Sequence, residues 1–327
     1  MKYNYVILGS PEDYYKVAYG ELKDKEYAYC LMDGIDCRSK LIQYLFKIHT
    51  SKTTQKIINL PFKEIWNSYI FRHPFSDDKP ICFVFFSRSV LCNSKVIDFL
   101  RINFPGSKFV AFWQDLVSKV QLKDFDLLKS SYLDICLSFD QGDCNKYGMT
   151  YYPLVYSYYD KVSDIKFPDS DVYFVGRAKD RLHTIIAAYE RFRDAGLRCD
   201  FNITGVKKKD RVYSDLINYC DSLPYIENIE HIKATKCMLE IMQGGGVGFT
   251  LRYAEAVMYD KKMITNNQAI KDAPFYAPNR INVFKDLKDI DVRFPVEEPI
   301  QIDYGFKENL YPSKMLRFID NRLSDVK

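Results

Sequence analysis

The sequence predicts an α/β protein of two Rossmann-like domains, and three observations carry that prediction. Short apolar runs alternate with longer amphipathic stretches along the chain, the pattern of βαβ units whose parallel strands are covered on both faces. The length of 327 residues is about twice the ~100–200 residues of a typical domain. A softer segment, YSYYDKVSDIKFPDSD from Tyr156 to Asp171, mixes Ser, Asp, Pro and Lys without a clean period and divides the strand series in two. The expected domains are 1–157 and 158–312, with an amphipathic C-terminal helix at 313–326 packing back on the first.

In the first series, strands are expected at Tyr5–Leu8, Tyr27–Leu31, Ile81–Phe86, Lys108–Trp113 and Leu133–Phe139. The second series opens with DVYFVGRAKDR, a strand ending in Gly176. Leu182, Ile185, Ile186, Tyr189 and Phe192 then recur at helical spacing up to Gly196, which suits the left-handed residue after a helix. The strand CDFNITGV, a basic loop around KKKDR, a helix from about Tyr213 to Ser222 and a strand near Tyr225–Ile229 follow. The block CMLEIMQGGGVGFTLRYAEAVMYDKKMITNN reads as strand, glycine-rich loop, helix and strand.

With 47% hydrophobic and 28% charged residues, the chain has a globular composition rather than a disordered one. Its 47 Lys+Arg against 43 Asp+Glu leave a net charge of +4, too mild for a dedicated nucleic-acid module, so no nucleic-acid partner is expected. The nine cysteines include no C-x-x-C, and Cys82 and Cys136 sit inside apolar runs, which fits a reducing compartment. The opening MKYNYVILGS has only about six residues of apolar pattern and lacks the ~7–15-residue apolar region of a signal peptide. No run reaches the ~18–20 apolar residues of a membrane span. The expected location is the cytoplasm.

The turn Gln243-Gly-Gly-Gly-Val-Gly-Phe249 leads into a helix capped by Thr250. Backbone N–H groups at such a helix start form an anion site; the bland alternative is a tight loop without a ligand. The turn fails G-x-G-x-x-G, has no G-K-[ST], and is followed after the next strand by Asn266 and Asn267 rather than an acid, which demotes NAD and P-loop readings. On the helix, Arg252 and Glu255 share a face opposite Leu251, Ala254 and Met258. They read as a surface ion pair or as holders of a phosphate and a ribose diol. Gly176-Arg-Ala-Lys-Asp-Arg181 places three cations just beyond another strand, where open α/β sheets bind ligands.

These residues carry a resemblance. Strand-GR-x-K, an amphipathic helix, then a glycine-rich turn with T-L-R-x-x-E-A and a K-x-x-I-T-x-N strand resemble the C-terminal domain of GT-B glycosyltransferases, particularly bacterial ones making capsule, lipopolysaccharide or exopolysaccharide. The likeness is densest over 171–267. It implies two Rossmann-like domains facing each other across a cleft, the second binding a nucleotide diphosphate sugar. By that likeness Gly176, Arg177 and Lys179 bind the donor diphosphate, the amides of Gly248, Phe249, Thr250 and Leu251 assist, Arg252 stands beside them, and Glu255 holds the ribose hydroxyls. Val247 stands where many retaining members carry a further Glu, so the stereochemical outcome is open.

No cofactor or metal is expected. Asp124-Phe-Asp126, Asp169-Ser-Asp171 and Asp289-Ile-Asp291 do not follow apolar strands as the D-x-D of GT-A enzymes does, and His49, His73, His183 and His231 form no short-spaced pair. No G-x-S-x-G elbow occurs. For the general base of an inverting transfer, Glu12, Asp13, Asp115 and Asp140 follow strands of the first half, and each also suits a helix cap or a solvated position. Asp115, beside Trp113 and Gln114, is preferred because an aromatic face with polar neighbours suits a sugar.

The segment 38–56 has no acidic residue and mixes Leu41, Ile42, Leu45, Phe46 and Ile48 with Lys40, Lys47, Lys52 and Lys56. It reads as an ordinary helix packed inward or as a peripheral contact with an anionic membrane. The expected activity is transfer of a sugar from a nucleotide diphosphate sugar to a glycan or lipid-linked acceptor at the inner membrane face. The alternatives are a sugar-nucleotide epimerase of similar build and a non-catalytic nucleotide-sugar or glycan-binding module.

Overall fold

A computed structural model describes the chain except at residues 33, 52–53, 55–56, 59–60, 71–74, 87–88, 90, 118–130, 162, 244–247 and 326–327. It divides into two compact units: Met1–Ser157 with Tyr311–Lys327, and Tyr158–Leu310.

The first unit holds strands β1 (Asn4–Leu8), β2 (Ala28–Leu31), β3 (Ile81–Phe86), β4 (Lys108–Trp113), β5 (Ile135–Ser138) and β6 (Thr150–Tyr151) in one parallel sheet of order β2-β1-β3-β4-β5-β6. Helices α1 (Asp13–Ala18), α2 (Lys40–Thr50), α3 (Ser94–Asn103) and α4 (Gln141–Tyr147) lie between them, and α9 (Pro312–Asp325) returns to the same unit. The runs ICFVFF and KFVAFW are buried on successive residues, hence on both faces, as central parallel strands must be. The expected strand Leu133–Phe139 is shorter because Asp134 is spent on β4: its carboxylate accepts Phe109 N–H at 2.8 Å and meets Lys108 at 2.8 Å. Helix α9 is tied to β1 by Asp320, whose Oδ1 accepts from Tyr5 Oη at 2.9 Å and from Lys2 N–H at 2.8 Å.

The second unit repeats the plan. Its strands β7 (Ser170–Arg177), β8 (Cys199–Thr204), β9 (Asn218–Cys220), β10 (Thr235–Glu240), β11 (Lys262–Thr265) and β12 (Ile281–Val283) form a parallel sheet of order β12-β11-β10-β7-β8-β9. Helices α5 (Leu182–Asp194), α6 (Tyr225–Ala234), α7 (Leu251–Met258) and α8 (Lys307–Leu310) complete it. Strand order reverses between β7 and β10, so a crevice opens beyond their carboxyl ends, the usual ligand position of such sheets. Helix α5 ends as its sequence predicts: Gly196 takes φ 78°, and Leu197 N–H reaches Phe192 O at 3.1 Å, a Schellman closure.

Two expectations fail together. The segment 213–222 is not a helix: Tyr213 has φ 54°, and Asn218–Cys220 pairs with Asn202–Thr204 as the edge strand. The expected strand at 225–229 is the first half of α6, where Asn228, Ile229, His231 and Ile232 are buried. That spacing is helical, and Pro224 at the N-cap needs no N–H partner. The soft segment 156–171 is also fastened at both ends. Ser157 Oγ donates to Ala18 O at 2.7 Å, and Asp171 belongs to β7, paired with Arg198 and Lys236.

Candidate functional site

The carboxyl ends of β7 and β10 bring together most of the expected binding residues of the second unit. Arg177 ends β7, exposed to solvent, and its side chain lies across Gly205. A Cβ there would stand 3.0 Å from Arg177 Nε, and the φ of 75° also favours glycine. Lys179, with φ 48°, directs Nζ to Gln243 Oε1 at 2.7 Å, tying the end of β7 to the loop that follows β10. Arg181 reinforces this tie: its guanidinium donates to Arg177 O at 3.1 Å and to Ile241 O. Gly176 sits one residue before Arg177, and its missing Cβ leaves Arg181 room, at 3.2 Å. Residues 244–247, the middle of the glycine-rich turn, lie outside the described residues.

Beyond that turn, Gly248, Phe249 and Thr250 are half-buried and α7 begins at Leu251. Thr250 is the N-cap, as the sequence indicates, with its hydroxyl accepting Arg252 N–H at 3.2 Å. Phe249 is held edge-on against Tyr253 and Phe275, at 5.4 Å and 5.8 Å between ring centroids.

Helix α7 is more deeply set than an amphipathic surface helix. Tyr253 through Met258 are all buried, so the pair Arg252–Glu255 is not a surface pair. Glu255 is fully buried, and its Oε1 accepts from Tyr225 Oη at 2.6 Å and Asn228 Nδ2 at 2.9 Å. Arg252 Nη1 faces Oε2 at 2.6 Å and also donates to Asn228 Oδ1 at 3.3 Å, while Oε2 itself takes no hydrogen bond. Burial pushes the Glu255 carboxyl up, and Arg252, Tyr225 and Asn228 oppose it. Tyr173 Oη completes the group by donating to Asn228 Oδ1 at 2.9 Å. Oε1 is taken and Oε2 is enclosed against Arg252, so ribose binding by Glu255 would require Arg252 to turn off Oε2.

A second buried carboxylate, Glu240 at the end of β10, was not anticipated. It is 4% exposed, accepting from Thr250 Oγ1 through Oε1 and from Thr265 Oγ1 through Oε2 at 2.5 Å. The available signal was one Glu inside the apolar run CMLEIM, which by itself names no partner.

In the first unit, Asp115 is half-buried just after β4. It shares the carboxyl end of that sheet with Glu12 and Tyr14. Burial, then Tyr15, and then Asp115 and Glu12 push the Tyr14 hydroxyl well up. The aromatic face expected beside Asp115 is not available, because Trp113 is 1% exposed and packs in the core with Ala111, Val117, Cys144 and Met149. Gln114 is taken by Tyr19 Oη at 2.9 Å. Asp140 caps α4, accepting Asp143 N–H at 2.8 Å, and Glu12 is the N-cap position of α1.

Among the described residues no group of three or more His, Cys, Asp or Glu could hold a metal, and no helix is long and apolar enough to cross a membrane. Asp124 and Asp126 lie outside the described residues, as do His73, Lys52 and Lys56. His183 is exposed and His231 is bound to Asp200 at 2.5 Å. In the segment 38–56, Phe46 is buried with Ile35 and Trp66, and Ile42 packs against them. Leu41, Tyr44 and Leu45 stay exposed at 66%, 61% and 47%. Ile57, Ile58, Phe62 and Ile65 extend this exposed apolar set.

No family model matches the chain, and no curated protein matches it in sequence. Among solved structures it is similar to an alpha-glucosyltransferase in complex with UDP-glucose and DNA containing an abasic site, with a TM-score of 0.55 and 10% identity over 98% of each chain. An alpha-glucosyltransferase in complex with UDP and a 13-mer DNA gives 0.53 and 10%, over 98% of this chain and 99% of that one. A protein described as a UDP-N-acetylglucosamine 2-epimerase from Listeria monocytogenes gives 0.51 and 10%, over 100% and 98%. At such identities the likeness extends to the fold alone: the chain has the α/β fold of two Rossmann-like domains that these proteins share along their full length.

Proposed function

We propose that the chain is a metal-independent glycosyltransferase that moves a sugar from a nucleotide diphosphate sugar to a glycan or lipid-linked acceptor in surface polysaccharide synthesis. The observation that carries this reading is the position of Arg177 and Lys179 at the end of β7, tied to the segment after β10 through Gln243, with Arg252 in the first turn of α7. That place on such a sheet suits a ligand, and cations after β7 together with the start of α7 suit a diphosphate. In this reading Gly176, Arg177, Lys179 and the amides of Gly248, Phe249, Thr250 and Leu251 hold the diphosphate, and Glu255 Oε2 meets the ribose diol once Arg252 has turned off it.

The chemistry asks little else of the protein. As the acceptor oxygen bonds to the anomeric carbon, the bond to the diphosphate breaks, and negative charge grows on the leaving phosphate. Fixed cations stabilise that charge, which is why no metal is invoked. A base removes the acceptor proton, and Asp115 is the candidate, on its position after β4 rather than on any aromatic neighbour. The exposed apolar and basic face around 38–56 supports peripheral contact with an anionic membrane at the cytoplasmic side. Two of the structural neighbours hold DNA, but a net charge of +4 favours a glycan acceptor over nucleic acid.

A panel of nucleotide sugars, screened by thermal shift and then by turnover with and without acceptor, tests the reading. Specific binding raises the melting temperature by linkage. Donor turnover that needs acceptor and survives EDTA supports the proposal; activity restored only by Mg²⁺ or Mn²⁺ removes metal independence. Conversion of a nucleotide sugar without any acceptor selects the epimerase reading, with which the shared fold is equally compatible. Binding with neither activity selects a non-catalytic module.

A further inference from the structure

Glu240 and Thr265 are register partners at the carboxyl ends of β10 and β11, and Ile241, Met242 and Gln243 follow from that point. The Glu240 carboxylate accepts a hydrogen bond from the hydroxyl of Thr250 on one oxygen and from that of Thr265 on the other. Each hydroxyl, with its O–H directed to the carboxylate, keeps its lone pairs as acceptors, and each is used as one. Thr250 Oγ1 accepts Arg252 N–H at 3.2 Å, and Thr265 Oγ1 accepts Asn267 N–H at 3.0 Å. The two asparagines after β11 then hold both flanks of the glycine-rich turn. Asn266 Oδ1 accepts Met242 N–H at 2.7 Å, and Asn267 Nδ2 donates to Gly248 O at 3.3 Å.

We propose that Glu240 is a positioning residue for the anion-binding loop: by fixing the hydroxyl orientation of Thr250 and Thr265 it sets the start of α7 and, through Asn267, the far flank of the turn at Gly248. The role in binding rests on the proposed nucleotide-sugar function; the role in loop order does not. Only an ionised carboxylate accepts from both hydroxyls at once, since the amide of Gln would turn a donor toward one of them. Burying that charge is costly unless it is met. Burial indeed pushes the Glu240 carboxyl up, while the two threonines and then the cations of Arg252 and Arg181 oppose it. The side chains of those two arginines are themselves held by other groups, Arg252 by Glu255 and Arg181 by the carbonyls of Arg177 and Ile241.

The experiment compares wild type, Glu240→Gln and Thr265→Val. Backbone hydrogen exchange is followed in the free protein, and affinity for UDP and GDP is measured by calorimetry well below the melting temperature. In Glu240→Gln the amides of Arg252 and Asn267 should exchange about 10-fold faster while Ile229 and Ile232 of α6 keep their rates. The affinity of whichever nucleotide binds wild type should fall about 10-fold, the scale of a lost charge-assisted contact. Thr265→Val should loosen Asn267 and Gly248 and weaken binding in the same direction. Unchanged exchange at Arg252 and Asn267, or faster exchange across the whole unit with nucleotide affinity intact, overturns the proposal. Should wild type bind neither nucleotide, the nucleotide-sugar reading fails and the exchange pattern alone decides the role of Glu240. If Glu240→Gln does not fold, Thr265→Val decides it, because that variant leaves the contact with Thr250 in place.

Discussion

The two units share one plan and differ in where they keep charge and where they show apolar surface. The second unit buries two carboxylates, Glu240 and Glu255, at or beside the strand ends of its sheet and surrounds them with hydroxyls, an amide and arginines. At the corresponding end of the first unit two carboxylates are buried as well, Asp140 and Asp143 just after β5, but they accept backbone N–H groups of Asp143 and Val117, and Asp115 and Glu12 lie near Tyr14. Exposure runs the other way. Of the fourteen large hydrophobic residues exposed among the described ones, seven fall within 41–65 of the first unit, against scattered examples such as Ile165, Val212 and Val296 in the second. A buried carboxylate is retained against its desolvation cost when something must be held in place. An apolar patch left in water marks a surface that meets something else. The same architecture thus meets its buried carboxylates with side-chain donors and arginines in the second unit and leaves its apolar residues in water mainly in the first.

Glu255→Ala should break the comparison most forcefully. Removing one member of a buried pair strands Arg252 together with the Tyr225 and Asn228 donors, so the second unit should lose about 3–5 kcal/mol of stability, measured by urea denaturation. A loss near 1 kcal/mol would mean that the carboxylate is less enclosed than its full burial indicates. Glu255→Gln is the sharper probe, because it keeps the volume and part of the hydrogen bonding. It should weaken nucleotide binding, and it should also cost about 1–3 kcal/mol of stability, more than an exposed ion pair at this spacing would.

Arg177→Ala should separate binding from folding. Its guanidinium is exposed and, among the described residues, makes no ion pair, so the melting temperature should stay. Affinity for a nucleoside diphosphate should fall by roughly 1.5–3 kcal/mol, the worth of a charge-assisted phosphate contact. Equal affinity in calorimetry would take Arg177 out of the site.

What could be read in advance, and what could not, follows the range of the interactions. Ile81–Phe86 and Lys108–Trp113 are each six-residue runs with little interruption, and their limits were legible to the residue. Gly196 announced the end of α5 because a left-handed C′ position is a local requirement. The stretch 213–229 was misread because Asn218–Cys220 is a strand only by virtue of pairing with β8. The cations after β7 were legible as a charge cluster at a strand end. Glu240 was not: it is recognised by Thr250 and Thr265, which are 10 and 25 residues away in the chain, and no spacing rule joins them. Trp113 was misjudged for the opposite reason, since an aromatic beside polar residues looks alike whether it ends in the core or at a surface.

Asp171 tests whether the second unit's dependence on charge extends to the far end of its sheet, where β7 begins. Burial alone would raise its pKa, but hydrogen bonds from Arg198 and Lys236 pull it down to about 2. An acid whose folded pKa lies below its unfolded value contributes stability above the unfolded value, ~3.9, and loses it as pH falls through the folded one. Asp171→Asn should therefore cost about 1–2 kcal/mol at pH 7, less than the full linkage value because Arg198 is 57% exposed and screened by water. The gap between wild type and variant should narrow below pH ~4 and close near pH 2. A gap that persists in acid would show that Asn fails by shape rather than by charge.

The smallest effect on stability is expected on the exposed face of the first unit. Leu41→Asp combined with Leu45→Asp changes side chains that are 66% and 47% exposed, so folding should shift by no more than about 0.5 kcal/mol for each. Binding to vesicles should respond quite differently. From Cys37 to Lys63 the sequence has no acidic residue, while Arg38, Lys40, Lys47 and Lys63 are basic. Such a face should bind phosphatidylglycerol vesicles, prefer them to phosphatidylcholine, and release them as salt rises. The two aspartates remove apolar surface and reverse charge in the same place, so co-sedimentation should be lost with the melting temperature nearly unchanged. A self-association surface predicts something else. A two-fold dimer through this face would set like charges against one another, so it should strengthen with salt, and the double variant should change the sedimentation coefficient instead of vesicle binding. Equal binding of both lipids by wild type, or of anionic vesicles by the double variant, would take the membrane role away from this face.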